Sequence, residues 1–237
     1  MYSKDKLSKV VFFDIETAPG KDSLGSLMED DPKMADLWSK RCEYLRSKFQ
    51  ENSEKSDDDL YIEKAALHAE FNRIVCASFG RLTFSEDETK IVIKSYSSFE
   101  ELEILQNIEK VFTSFVNYEF CGHSIKRFDV PVICKRMLIN GIQLPKLLQI
   151  QNLKPWEVPF MDTSDIWSFG AWQEGFTSLE LLSTCLGIPT PKDDIRGEEV
   201  GRVFWEENDL PRIEAYCKKD VKSVADILLK LSGLPSL

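Results

Sequence analysis

Four consecutive apolar residues, Val10 to Phe13, run straight into Asp14, Ile15 and Glu16. An apolar run of this kind, without alternation, reads as a buried strand. In a strand, residues i and i+2 point to the same side, so Asp14 and Glu16 set two negative charges side by side at the edge of a core. Nothing in the stretch neutralises them, and burying uncompensated charge is costly. Two acids that end an apolar strand therefore ask for a partner from elsewhere in the chain.

The remaining pattern supplies a sheet for this strand to join. Strands are expected at Lys9–Phe13, Arg73–Phe79, Ile91–Tyr96, Phe120–His123 and Val158–Met161, the second and third joined as an antiparallel hairpin through the polar turn Thr83–Lys90. Helices are expected over 32–49, from a capping box at Ser98–Glu101, over 131–139, from a capping box at Thr177–Glu180, and from Asp209 with Pro211 to Leu231. A strand and a hairpin followed by helices alternating with strands reads as an α/β sandwich around a mixed β-sheet. One domain over residues 1–237 is expected, with a helical and acidic insertion at about 30–66.

Composition narrows the class. The chain is 43% apolar and 30% charged, as in a soluble globular protein, and has no apolar run long enough for a membrane helix. Its six cysteines show no CxxC spacing, and neither His68 nor His123 joins them at finger-like spacing, so no zinc site is expected. Reduced thiols and a start without a signal-peptide apolar region point to a cytoplasmic protein. A net charge of −10 argues against broad electrostatic capture of duplex DNA, but not against gripping a few nucleotides in a cleft. The acid-rich run Glu51–Asp59 reads as a solvated loop.

Two later stretches can bring carboxylates to the first pair. Asp129 lies where a strand end meets a helix start, in Cys121–Ile133, and by itself reads as a helix cap. Tyr216 and Asp220 are four residues apart on a helix, hence on one face one turn apart, while Cys217 and Val221 bury the adjacent stripe. Magnesium and manganese prefer carboxylate oxygen, and two-metal phosphoryl chemistry needs three or four such groups.

Taken in order, Phe13–Thr17 (FDIET), Gly122–Asp129 (GHSIKRFD) and Tyr216–Asp220 (YCKKD) resemble the three exonuclease motifs of the DEDD (DnaQ-like, ribonuclease H-like) 3′–5′ exonucleases. The tyrosine four residues before the last aspartate marks the DEDDy branch, and the sequence is most similar to the predicted exonuclease group related to the proofreading domain of family B DNA polymerases. The resemblance implies a ribonuclease H-like mixed sheet with one antiparallel strand and helices on both faces. It implies that Asp14, Glu16, Asp129 and Asp220 hold two Mg2+ or Mn2+ ions, that Tyr216 orients the attacking water, and that nucleoside 5′-monophosphates are released. Thr17, Ser124 and Phe128 are the implied contacts to the terminal nucleotide, with Phe13 read as core. Asp162 is read as a cap or a supporting group, and His123 as structural. Lys126, Arg127, Lys192, Arg196 and Arg202 sit in loops near motif ends, where phosphates would pass. Ser124 stands where the family usually has asparagine. The implied substrate is single-stranded nucleic acid, DNA favoured over RNA, with a protein partner supplying polymerase or repair context. The alternatives are an exoribonuclease or oligonucleotide exonuclease, and a non-catalytic binding module on the same fold.

Overall fold

A computed structural model describes residues 2–86, 88–154, 156–171, 177–189 and 194–237. In chain order the elements are α1 (Lys4–Leu7), β1 (Val10–Pro19), α2 (Leu24–Asp30), α3 (Pro32–Lys48), α4 (Asp57–Lys64), β2 (Asn72–Phe84), β3 (Thr89–Ser97), α5 (Glu101–Ser114) and β4 (Glu119–Gly122). They continue with α6 (Asp129–Ile139), β5 (Phe160–Asp162), α7 (Thr163–Trp167), α8 (Leu179–Cys185), α9 (Val200–Arg202) and α10 (Leu210–Leu231). Lys192, expected near a passing phosphate, falls outside the described residues.

The sheet has the order β3-β2-β1-β4-β5. β2 is antiparallel to both β1 and β3, whereas β1–β4 and β4–β5 are parallel, so β2 is the one strand opposed to the rest. This is the expected mixed α/β sheet with β1 at its centre. The apolar run of β1 serves both faces, as period-two side chains require. Val11, Phe13 and Ile15 join Ile104, Ile108 and Phe112 of α5 and Ile133 of α6 on one side. Val10 and Phe12 join Val221, Val224 and Leu228 of α10 on the other. Phe13 packs against Phe79, Phe112 and Phe120, the core role expected of it. By the same parity, Asp14 and Glu16 continue the face that α10 covers.

Helices α2 to α4 gather around a cluster of their own, in which Trp38, Cys42, Leu60 and Tyr61 are fully buried. The acid-rich run expected as a solvated loop starts a helix instead: Ser56 and Asp59 form a reciprocal capping box at the head of α4. Three aspartates in its first turn sit where the helix dipole favours negative charge.

Other local expectations also shift. The Ser98 hydroxyl accepts the N–H of Glu100 at 3.0 Å rather than capping at residue 101, and α5 begins at Glu101. Ser178, not Thr177, caps α8 by accepting the Leu181 N–H at 3.2 Å. Asp129 is the first residue of α6 rather than its cap. Among the described residues no helix is long and apolar enough to cross a membrane.

Candidate active site

β1 outruns its parallel neighbour. Pairing with β4 covers only Val10 to Phe12, because β4 ends at Gly122. Beyond that point the β1 edge is open, and its backbone donors need other acceptors. Asp129 answers this: its Oδ1 accepts the Ile15 N–H at 3.2 Å. The carboxylate at the start of α6 thus reaches β1 beside Asp14 and Glu16. On the far side of β1, Asp14 and Glu16 register with Ser78 and Cys76 of β2, and the register shifts just after Glu16.

α10 closes the site from one face. Asp209 caps it, accepting the Arg212 N–H at 3.1 Å, and Ile213, Cys217 and Val221 are its buried stripe. That stripe turns Tyr216 and Asp220, both half-buried, toward the acids of β1. Cys217 reaches closer still, donating its thiol to the Asp14 Oδ2 at 3.3 Å.

The electrostatics follow from this packing. Burial, and then the charges of Asp129 and Asp220, push the Asp14 carboxyl well above the usual carboxylate range. Glu16, only 7% exposed, is raised well above it by burial and by Asp14 and Asp220. Asp129 is pushed up to about 7, chiefly by burial, with the Ile15 N–H pulling the other way. Burial raises the Tyr216 phenol, and the negative charges of Asp220, Glu16 and Asp14 raise it further. No lysine or arginine among the described residues pairs with Asp14, Glu16 or Asp129. A hard, oxygen-rich donor set with no balancing cation is one that divalent magnesium or manganese suits.

The acids are not equally close. Ligand atoms of Asp14, Glu16 and Cys217 lie within 4.8 Å of one another. Asp129 and Asp220 stand outside that trio and act on it through their charge. Cys217 was not singled out as a ligand in sequence; only its place on the buried stripe of α10 hinted at it.

The turn between β4 and α6 is held by a second carboxylate. Ser124 takes a left-handed conformation, φ 59°, and its N–H donates to Asp162 Oδ1 at 2.8 Å. Asp162, 2% exposed, also accepts the N–H groups of Lys126 at 3.1 Å and Ser164 at 3.0 Å. It caps α7, one of the two alternatives read from the sequence, and also holds the turn. The Ser124 hydroxyl is buried without a hydrogen-bond partner. His123 spans the same region, its ring nitrogens 2.9 Å from the Thr163 hydroxyl and 2.8 Å from the Thr177 carbonyl.

Other expected contacts lie around this frame. The Thr17 hydroxyl donates to the Ala66 carbonyl at 2.9 Å, tying β1 to the segment that follows α4. Phe128 is half-buried against the α5–α6 core. Lys126 pairs with Asp165 at 3.2 Å, Arg202 pairs with Glu199 and Glu207, and Arg127 and Arg196 are exposed. Beside the turn a groove of about 1110 Å³ opens, lined among others by Lys126, Arg127, Leu148, Trp156 and Trp167.

Comparison with known proteins gives this arrangement a family. The sequence model of the predicted 3′–5′ exonucleases related to the exonuclease domain of PolB matches residues 65–232. The chain belongs to this family. The matched span holds Asp129, Tyr216 and Asp220; Asp14 and Glu16 lie before it and are brought to them by the pairing of β1 with β2 and by α10. Among solved structures, the family B DNA polymerase from the hyperthermophilic archaeon Pyrobaculum calidifontis matches with a TM-score of 0.52 at 15% identity, over 94% of this chain and 24% of that one. At that identity the likeness is one of fold, and the chain spans about a quarter of the polymerase. No curated protein sequence matches.

Proposed function

We propose that the chain is a metal-dependent exonuclease that removes nucleotides from the 3′ end of single-stranded DNA and releases nucleoside 5′-monophosphates. The observation that carries this reading is the convergence of Asp14 and Glu16, in the central strand, with Asp129, Asp220 and Tyr216 from two helices, with no lysine or arginine among the described residues paired with Asp14, Glu16 or Asp129. Asp14, Glu16, Asp129 and Asp220 would hold two Mg2+ or Mn2+ ions, which supply an activated water and stabilise the charge on the leaving 3′ oxygen.

The protein's own groups have distinct tasks. With its phenol raised by burial, Tyr216 keeps its proton through the neutral range, so it orients the attacking water by hydrogen bonding and does not act as the base. Asp129 is held in place by the Ile15 N–H, and its carboxylate is fixed to the same strand that carries Asp14. The turn held by Asp162 presents Ser124 and Phe128 beside Asp129, where a terminal nucleotide would lie. Lys126, Arg127 and Trp156 of the neighbouring groove offer cations and an aromatic face, a combination suited to unpaired bases and their phosphates.

The test is cleavage of 5′-labelled and 3′-labelled single-stranded DNA and matching RNA with magnesium or manganese, beside an Asp14→Ala control. A ladder of 5′-labelled products that Asp14→Ala reduces by about a thousandfold or more is expected, as for loss of a metal ligand at the reacting centre. A ladder on RNA alone would move the assignment to an exoribonuclease. No metal-dependent cleavage of either polymer would overturn the enzymatic reading.

A further inference from the structure

Spacing along the chain gave no reason to expect a site for a thiophilic metal; packing supplies one. Cys217 follows Tyr216 on α10 but faces β1, is fully buried, and donates its thiol to the Asp14 carbonyl at 3.5 Å and to Oδ2 at 3.3 Å. Its sulfur and one oxygen from each of Asp14 and Glu16 lie within 4.8 Å of one another. Glu16 is 7% exposed, and its carboxylate makes no hydrogen bond to the protein among the described residues. Cys76, opposite Glu16 in the register of β1 with β2, is buried and helps raise the Cys217 thiol. Two thiols therefore back the acidic pair, and the partly exposed Asp14 is its opening to solvent.

We propose that Asp14, Glu16 and Cys217 bind a thiophilic divalent ion of the zinc and cadmium class, and that this ion competes with magnesium or manganese for the same two carboxylates. Magnesium takes oxygen ligands and gains nothing from sulfur. Zinc takes thiolate at about 2.3 Å and carboxylate oxygen at about 2.0–2.2 Å, which sets ligand atoms roughly 3.5 Å apart, a spacing the trio reaches by small side-chain movements. As the ion binds, the thiol gives its proton to solvent and the sulfur becomes a ligand. An inhibitory effect rests on the nuclease reading above; the binding site does not.

The experiment titrates the metal-free full-length protein with cadmium and zinc. Cadmium is followed by its ultraviolet sulfur-to-metal charge-transfer band, and zinc and manganese by calorimetry. The variants are Cys217→Ser and, as a surface-thiol control, Cys185→Ser, since Cys185 is exposed. The band should appear in the parent and in Cys185→Ser and vanish in Cys217→Ser. Zinc affinity should fall at least about tenfold in Cys217→Ser, while manganese affinity changes by less than about threefold. A band that survives Cys217→Ser, a parent protein with no band, or zinc and manganese affinities that fall together would overturn the proposal. Cys217→Ala gives the same readouts if the serine variant does not fold. In the nuclease assay, zinc should inhibit magnesium-dependent cleavage, and about tenfold more zinc should be needed in Cys217→Ser. Sulfur-dependent binding in a protein that cleaves nothing would uphold this site and overturn the nuclease reading.

Discussion

Asp129 shows how one carboxylate ties chemistry to stability. Its pKa is pushed up to about 7, chiefly by burial, from an ordinary 3.8. A group raised on folding contributes fully below its unfolded pKa, and that contribution is lost as pH rises through the folded value. Asp14 and Glu16 are raised in the same direction. In chelator, the protein should therefore lose thermal stability between about pH 4 and pH 7, and added magnesium or manganese should restore it most at the upper end. Asp129→Asn keeps an oxygen for the Ile15 N–H and removes the charge, so it should raise the metal-free Tm by a few degrees at pH 8 and leave it unchanged at pH 4, read by thermal melts. Ser124 gives a second prediction at this scale. A non-glycine residue at φ 59° with a buried, unpartnered hydroxyl carries strain, so Ser124→Gly should stabilise the fold by about 1 kcal/mol in denaturant titration.

At the scale of elements, two buried carboxylates join segments that secondary structure alone leaves apart. Glu101 opens α5 yet turns inward, accepting the Ile74 N–H of β2 at 2.8 Å, Arg136 of α6 at 2.9 and 2.5 Å, and Asn140 at 3.1 Å. Arg136 also donates to the Ala69 carbonyl at 3.1 Å, which ties the segment between α4 and β2 to the same hub. Removing one partner strands a buried charge, so Arg136→Met should cost about 3–5 kcal/mol and lower Tm by on the order of 10 °C in a calorimetric scan. Asp162 does the corresponding work for the turn, with three backbone donors converging on it. Asp162→Ala leaves those donors unmet, and a loss of about 2–4 kcal/mol is expected with a fall in turnover that exceeds any change in KM, because Asp129 and Ser124 sit on that turn. In the sequence, Glu101 looked like half of a capping box, because its pairing with Arg136 joins residues 35 apart.

Across the whole molecule, the site exists because β1 lies between an antiparallel and a parallel neighbour and is longer than the latter. Gly122 sets how closely the turn after β4 can approach β1. A Cβ there would meet Ile125 Cγ2 at 2.2 Å and the Phe13 carbonyl at 2.8 Å, the second a backbone atom that cannot turn aside. Gly122→Ala must push the turn off the strand, so activity should fall by at least about tenfold even in variants that remain folded by circular dichroism. Gly80 is constrained in the same way from the other side, since a Cβ there would meet Val221 of α10 at 2.8 Å.

The sequence by itself determined the central strand, the hairpin, the long final helix and the three motifs, because each is written in local period, in caps, or in residues a few positions apart. Its apolar run told that β1 is buried, and the Tyr216–Asp220 spacing told that one helix face carries both. The order of the strands, the capture of Ile15 by Asp129 and the inward turn of Glu101 were decided by tertiary structure. So was the approach of Cys217 to Asp14 across 203 positions of chain. A hydrogen bond of that span leaves no periodic trace: each partner only has to be buried and polar, and which one it meets is fixed by how the helices close over the sheet.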